Sequence, residues 1–174
     1  MRVRLATKAD TEALASIYNQ GIEDRVATFE TRLRTPEEVE HWLSEGHPMV
    51  VVEQDDETIA YASTSTYRAR ECYAGIAEFS VYVRRDWRGR RVGRLAIEGL
   101  LQVAEQAGFW KLLSRIFVEN TASRALMRSL GFREVGIYEK HGQLDGVWRD
   151  VVVVERLFPN NLITPALSSS PEHV

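Results

Sequence analysis

Short apolar runs and amphipathic stretches alternate along this chain. Val3 to Ala6 alternates weakly and predicts a first strand. Thr7 to Asp10 has the spacing of a capping box, with Asp10 reaching back to the cap. Ala13, Leu14, Ile17 and Tyr18 then recur at helical spacing. After a polar stretch, "TPEEVEHWL" predicts a second helix with Thr35 as cap, Pro36 in the first turn and Glu38 at the third position. "MVVVEQ" and "TIAYASTSTY" flank the turn "DDE" and predict a hairpin. "AEFSVYV", residues 77–83, is a further strand. Residues 92–107 are amphipathic, and Gly108 is placed to end that helix. "KLLSRIFV" is a strand, "TASRALMRSL" a short helix stopped by Gly131, and "FREVGIY" and "RDVVVVERL" two last strands. The order is that of a mixed α/β sheet, not a βαβ repeat.

A length of 174 residues fits one domain able to bury its own core. We set that domain at 1–158. Residues 159–174 are rich in Pro and Ser and are expected to form a flexible tail. With one cysteine, Cys72, and four scattered histidines, a disulfide framework is excluded and no metal site is expected. No apolar leader opens the sequence and no run reaches the length of a membrane span. A cytoplasmic protein without membrane attachment is the expectation.

Charge changes the picture. The formal net charge is −3, yet residues 84–94, "RRDWRGRRVGR", hold six arginines and one aspartate. The balance of +5 there leaves −8 elsewhere, counted on the same chain. So local an asymmetry argues against nucleic acid, which calls for a broad basic surface, and for one small anion at one place. A strand running through a glycine-bearing turn into a helix presents free N–H groups and the helix dipole to such an anion. The stretch is neither a P-loop nor a dinucleotide fingerprint. A solvated basic turn remains the alternative on these residues alone.

The flanking residues narrow the choice. Arg88-Gly89-Arg90-Arg91-Val92-Gly93 after "SVYV" resembles the acetyl-CoA signature of the GNAT N-acetyltransferases, with Arg91 in place of a patterned glycine. "VENTASRALMRSLGF" resembles the second signature of that family, and the element order agrees over residues 2–158. The resemblance implies the GNAT fold, a mostly antiparallel twisted sheet flanked by helices. It implies that acetyl-CoA lies along Val81, Tyr82 and Val83, with its pyrophosphate on the loop from Arg88 through Gly89, Arg90, Arg91, Val92 and Gly93 to Arg94. Asn120 and Ser123 would meet the pantetheine arm, and surplus arginines the ribose phosphate.

Within that family "IYN", "ATFET", "RARECY", "AEFSVYV" and "KHGQLDGVWRDV" resemble the acetyltransferases of phosphinothricin, methionine sulfoximine and arsinothricin. This implies a homodimer acting on the amine of a small amino-acid-like acceptor, with Glu78 as general base. Strand alternation puts Glu78, Ser80 and Tyr82 on one face. Apolar Ala77 and Phe79 beside Glu78 are expected to desolvate its carboxyl and raise its pKa. Arg68 and Arg70, with Tyr73, are the expected acceptor-binding groups, since guanidinium forks suit carboxylates. Phe29 is an expected pocket wall, and His141 and Trp148 fall in a stretch near the pocket or the dimer contact. Met127 occupies the position where relatives carry Tyr or His. It cannot donate a proton, which leaves Tyr138, Tyr82 or water to serve the departing thiolate. Cys72 has no basic partner in the sequence that would mark a nucleophile. The rival readings are acetylation of a protein N-terminus or a polyamine, and a non-catalytic acyl-CoA-binding module.

Overall fold

The computed structural model describes residues 1–162. Seven strands form one sheet: β1 (Arg2–Leu5), β2 (Met49–Gln54), β3 (Glu57–Thr66), β4 (Ile76–Val83), β5 (Lys111–Phe117), β6 (Arg133–Leu144) and β7 (Val147–Leu157). Helices α1 (Thr11–Glu23) and α2 (Pro36–Ser44) follow β1, α3 (Val92–Gln106) follows β4, and α4 (Thr121–Ser129) follows β5. The order across the sheet is β1-β2-β3-β4-β5-β7-β6. Every neighbouring pair is antiparallel except β4 and β5.

Helices cover both faces, which explains the unbroken apolar run of β2. Val50 and Val52 join the core under α3 and α4, while Met49 and Val51 pack with α1 and α2. The cap of α2 forms as expected: the Thr35 hydroxyl accepts from the Glu38 amide and Glu38 accepts from the Thr35 amide. At the first cap, Asp10 accepts from the Thr7 amide at 2.8 Å, after which a short 3₁₀ turn precedes α1. Asp10 also takes two bonds from Arg4 and one from Thr58. Burial works to raise its pKa, but Arg4, Thr7 and Thr58 together hold it well below the usual carboxylate range.

Two expectations need correction. The last two strands run beyond the expected "FREVGIY" and "RDVVVVERL": β6 and β7 continue to a tight turn at Asp145 and Gly146, both at positive φ. The Asp-Gly pair is the signal for such a hairpin. Pro159–Asn161, expected in the tail, instead form a 3₁₀ turn docked on α3. The Asn161 side-chain amide donates to the carbonyls of Glu105 and Phe109, at 2.8 and 2.7 Å, and so ties this turn to the C-terminal end of α3. Residues 163–174 lie outside the described residues.

The feature that makes a site is the fork in the sheet. β4 and β5 pair only at Ile76–Lys111, Ala77–Leu112 and Glu78–Leu113. Beyond those positions they part, while β4 stays paired with β3 up to Val83.

Candidate active site

Three cavities meet at this fork. A groove of about 740 Å³ lies on the α3 side, lined by β4 from Val81 to Val83, the arginine turn, and α4 with Asn120. A cavity of about 600 Å³ lies on the other side, under the segment Ala27–Glu30. Between them a gap of about 90 Å³ is walled by Phe79 to Tyr82 and Ser114 to Phe117. Ala27 and Tyr82 line all three.

The groove is a backbone construction. The Arg84 amide donates to the Ile59 carbonyl on β3 at 2.9 Å. Backbone groups alternate sides along a strand, so Val81 and Val83 turn theirs away from β3 into the fork. The turn that follows holds Gly89 at φ 74° and Arg91 at φ 62°. Among the described residues, the amides of Gly89, Arg90, Arg91, Val92 and Gly93 have no hydrogen-bond acceptor. Of these five orphan donors, three lead into α3 and two lie in its first turn, where free N–H groups and the helix dipole favour negative charge. A side chain on Gly93 would start 3.4 Å from Val83 and 3.5 Å from Leu126, inside the groove wall.

The arginines divide. Arg84 pairs with Glu57 and Asp86, each at 2.8 Å, and Arg85 with Asp24 at 2.7 Å. Arg88 pairs with Asp24 and donates through Nε to the Val83 carbonyl at 3.0 Å. Arg85, and then Arg88, hold the Asp24 carboxyl below its ordinary pKa. Arg94 binds Glu98 and the Ser129 hydroxyl. Only Arg90, set over the Trp87 ring at 5.0 Å, and Arg91 lack a carboxylate partner among the described residues. The surplus positive charge is therefore two guanidiniums, not six. Asn120 caps α4 by accepting from the Ser123 amide at 3.1 Å, and its Nδ2 donates to the Val26 carbonyl at 3.2 Å. Asn120 and Ser123 thus line the groove with their mutual bond already made.

The second cavity is made of side chains from distant segments. Asn19 exchanges two hydrogen bonds with the Arg34 backbone, at 2.8 and 2.9 Å, and so fixes the segment that carries Phe29. Phe29 lines this cavity, packing edge-on to Phe117 at 4.8 Å and lying 6.4 Å from the His141 ring. Its ring lies on the Gly142 backbone, where any side chain would start 2.8 Å from it. Tyr18, Tyr61 and Tyr82 form an aromatic cluster, with Tyr82 at 4.9 Å from Tyr18 and 5.5 Å from Tyr61. Burial, and next the neighbouring Tyr18, push the Tyr82 phenol far up in pKa.

Glu78 lines this cavity, but not in the apolar enclosure expected. Alternation sends Ala77 and Phe79 into the core on the other face, and the Glu78 carboxylate meets the Arg115 guanidinium instead. Arg115 was not singled out from the sequence. One charged residue inside the apolar strand "KLLSRIFV" was the available signal. Arg68, Arg70 and Tyr73 do not line the cavity. Arg68 and Arg70 are exposed in the β3–β4 connection, where Arg68 lies over the Tyr67 ring and Tyr73 packs edge-on to it. Met127 is buried at the back of the fork, at 1% exposure. Tyr138 is 53% exposed on β6 and lines none of the three cavities. Trp148 is likewise exposed on β7.

A model described as "Acetyltransferase (GNAT) domain" matches residues 3–153. The chain belongs to the GNAT acetyltransferases. It is 32% identical to the phosphinothricin N-acetyltransferase of Streptomyces coelicolor over 90% of this chain and 95% of that one. A crystal structure of a ribosomal-protein-alanine N-acetyltransferase from Brucella melitensis superposes with a TM-score of 0.88 at 33% identity, covering 91% of this chain and 100% of that one. A phosphinothricin acetyltransferase from Sinorhizobium meliloti, solved in complex with AcCoA, gives 0.87 at 28% identity over 98% and 95%. Within the GNAT family the chain falls in the phosphinothricin and methionine sulfoximine acetyltransferase-like group. It is an acetyltransferase enzyme with the expected fold. Among the described residues, no helix is long and apolar enough to cross a membrane, and no cluster of His, Cys, Asp and Glu is arranged to hold a metal ion.

Proposed function

We propose that this enzyme transfers an acetyl group to the primary amine of a small amino-acid-like acceptor in a ternary complex. The observation that carries this is the junction of two differently built cavities at one fork. The groove suits acetyl-CoA: it is lined by Gly89, Arg91, Val92 and Gly93, whose amides have no acceptor among the described residues, and Arg91 has no carboxylate partner there, which leaves both for phosphate. Bound there, acetyl-CoA supplies an activated thioester. The Val81 and Val83 amides are available to polarise a carbonyl lodged in the fork.

On the acceptor side, Glu78 stands at the last position of β4 paired to β5. It takes one proton from the acceptor ammonium, directly or through water, and leaves an amine lone pair for attack. The thiolate side has fewer helpers. Met127 has no proton to give, Tyr138 lies away from the cavities, and Tyr82 holds its proton too tightly to be an efficient acid. A thiol with a pKa of about 8.5 departs without one, and takes its proton from water.

We place the contact of a homodimer on the β6–β7 hairpin, where Ile137, Tyr138, Val147 and Trp148 are each about half exposed. Light scattering at micromolar concentration tests this, and a monomer sinks it. A second reading is favoured by one observation: Glu30, Glu45 and Glu78 all line the acceptor cavity, whereas Arg68 and Arg70 do not. Such a lining would admit a polyamine. The deciding experiment is free-thiol release on mixing acetyl-CoA with amino acids, including L-methionine sulfone, and with diamines and polyamines. Turnover confined to polyamines would replace the first reading by the second. No turnover with any of them would overturn both acceptor readings.

A further inference from the structure

The acceptor cavity contains one guanidinium. Arg115 stands two residues beyond Leu113, the last residue of β5 paired to β4, and lines both the acceptor cavity and the fork. No other Arg and no Lys lines the acceptor cavity. Its Nη2 donates to Glu78, and this is the one hydrogen bond its side chain makes among the described residues. A guanidinium carries five N–H donors, so four are left over beside a cavity. Structural arginines of this chain are used more fully. Arg124 gives two bonds to Glu134 and one to the Val118 carbonyl, and Arg4 gives two to Asp10 and one to Glu53. The Arg115 side chain is also 40% exposed, within reach of a ligand.

We infer that Arg115 binds the α-carboxylate of the acceptor and in doing so releases Glu78 to act on the acceptor's ammonium. This rests on the N-acetyltransferase reading and narrows the acceptor to a free α-amino acid. A planar fork suits a carboxylate in two parallel bonds. In an α-amino acid one carbon separates carboxylate from ammonium. A carboxylate seated on Arg115 therefore brings the ammonium to the residue Arg115 already touches. Charges pair crosswise: the protein's carboxylate and guanidinium meet the ammonium and carboxylate of a zwitterion. The proton passes from ammonium to Glu78, and the amine is left neutral. An amine without a carboxylate gives Arg115 no reason to leave Glu78, so it should be handicapped in kcat as well as in KM.

The experiment compares three acceptors with one side chain: the best amino acid of the panel above, its carboxamide, and its decarboxylated amine. Each is assayed by thiol release at saturating acetyl-CoA with wild type, Arg115→Met and Arg115→Lys. Melting temperature and acetyl-CoA affinity serve as fold controls. Wild type should favour the free acid by roughly 10²-fold in kcat/KM, the scale of two charge-assisted bonds. Arg115→Met should lose about that factor on the acid and treat the three acceptors alike. Arg115→Lys should recover part of it through KM. Equal use of acid and amide by wild type overturns the proposal while leaving acetyl transfer intact, as does a preference that survives Arg115→Met. Absence of thiol release from every acceptor overturns the parent reading and this one with it.

Discussion

The two cavities at the fork are built on opposite principles. The groove under α3 is made of backbone: orphan amides, two residues at positive φ, and a glycine facing the wall. The acceptor cavity is made of side chains gathered from α1, the Ala27–Glu30 segment, β3, β4, β5 and β6. A backbone nest reads any phosphate and tolerates change in the surrounding side chains. A side-chain cavity can be retuned for another acceptor one residue at a time while the transfer machinery stays put. The arginines make the same point. Four of the six in the conspicuous turn are engaged within the protein, whereas Arg115, alone in its strand, faces the acceptor cavity with most of its donors unused.

The sharpest way to separate the two sides is Glu78→Gln, which keeps the shape and removes the proton acceptor. kcat should fall by about 10²–10⁴, the usual worth of a positioned base, with acetyl-CoA affinity unchanged. The deficit should shrink as pH rises toward the acceptor's ammonium pKa, because more acceptor then arrives deprotonated. Parallel pH profiles of kcat/KM for mutant and wild type would make Glu78 a structural residue.

The opposite dissection is Gly93→Val, which places a branched side chain in the groove wall beside the nest. Acetyl-CoA affinity should drop roughly tenfold or more, about 1.4 kcal/mol, read by calorimetry, with circular dichroism checking the fold. Wild-type affinity in a folded mutant would remove the groove from the cofactor assignment. A ligand bound only by the folded state raises the melting temperature by mass action. Acetyl-CoA should therefore raise it, and acetyl-pantetheine, which lacks the pyrophosphate, much less. Equal shifts would mean that the nest holds no phosphate.

The same contrast explains what the sequence disclosed. The groove follows local order, strand then glycine-bearing turn then helix, so residues within one short window place Gly89 to Arg94 where the structure has them. The hydrophobic periods likewise placed the elements, and strand alternation put Phe79, Val81 and Val83 on the core face. The acceptor cavity has no such window. Arg115 and Glu78 are 37 positions apart, and they meet because β4 and β5 are neighbours only at their first three paired positions. Arg68 and Arg70 looked right by residue type and nearness in sequence to Glu78, but the β3–β4 connection carries them to the surface. Ala77 and Phe79 do not enclose Glu78 for a related reason: neighbours along a strand point to opposite faces.

The smallest expected effect tests whether the nest is backbone alone. Arg91 precedes α3 in the left-handed region, at φ 62° and ψ 11°. A side chain there costs about 1–2 kcal/mol relative to an ordinary conformation. Arg91→Gly removes that strain, but it also loosens the unfolded chain, which opposes the gain. The net change should be a stabilisation of about 0.5–1 kcal/mol, or roughly 1–4 °C in melting temperature for a chain of this size. Arg91 is also one of the two loop guanidiniums without a carboxylate partner, so its loss removes a positive charge next to the nest. Acetyl-CoA affinity should then fall by about two- to fivefold at low salt and by less as salt screens the charge. Stability and affinity moving in opposite directions would show that Arg91 is kept in a strained conformation for its charge. If stability rises while affinity holds at every salt concentration, the amides alone bind the pyrophosphate, and the guanidinium of Arg91 plays no part in it.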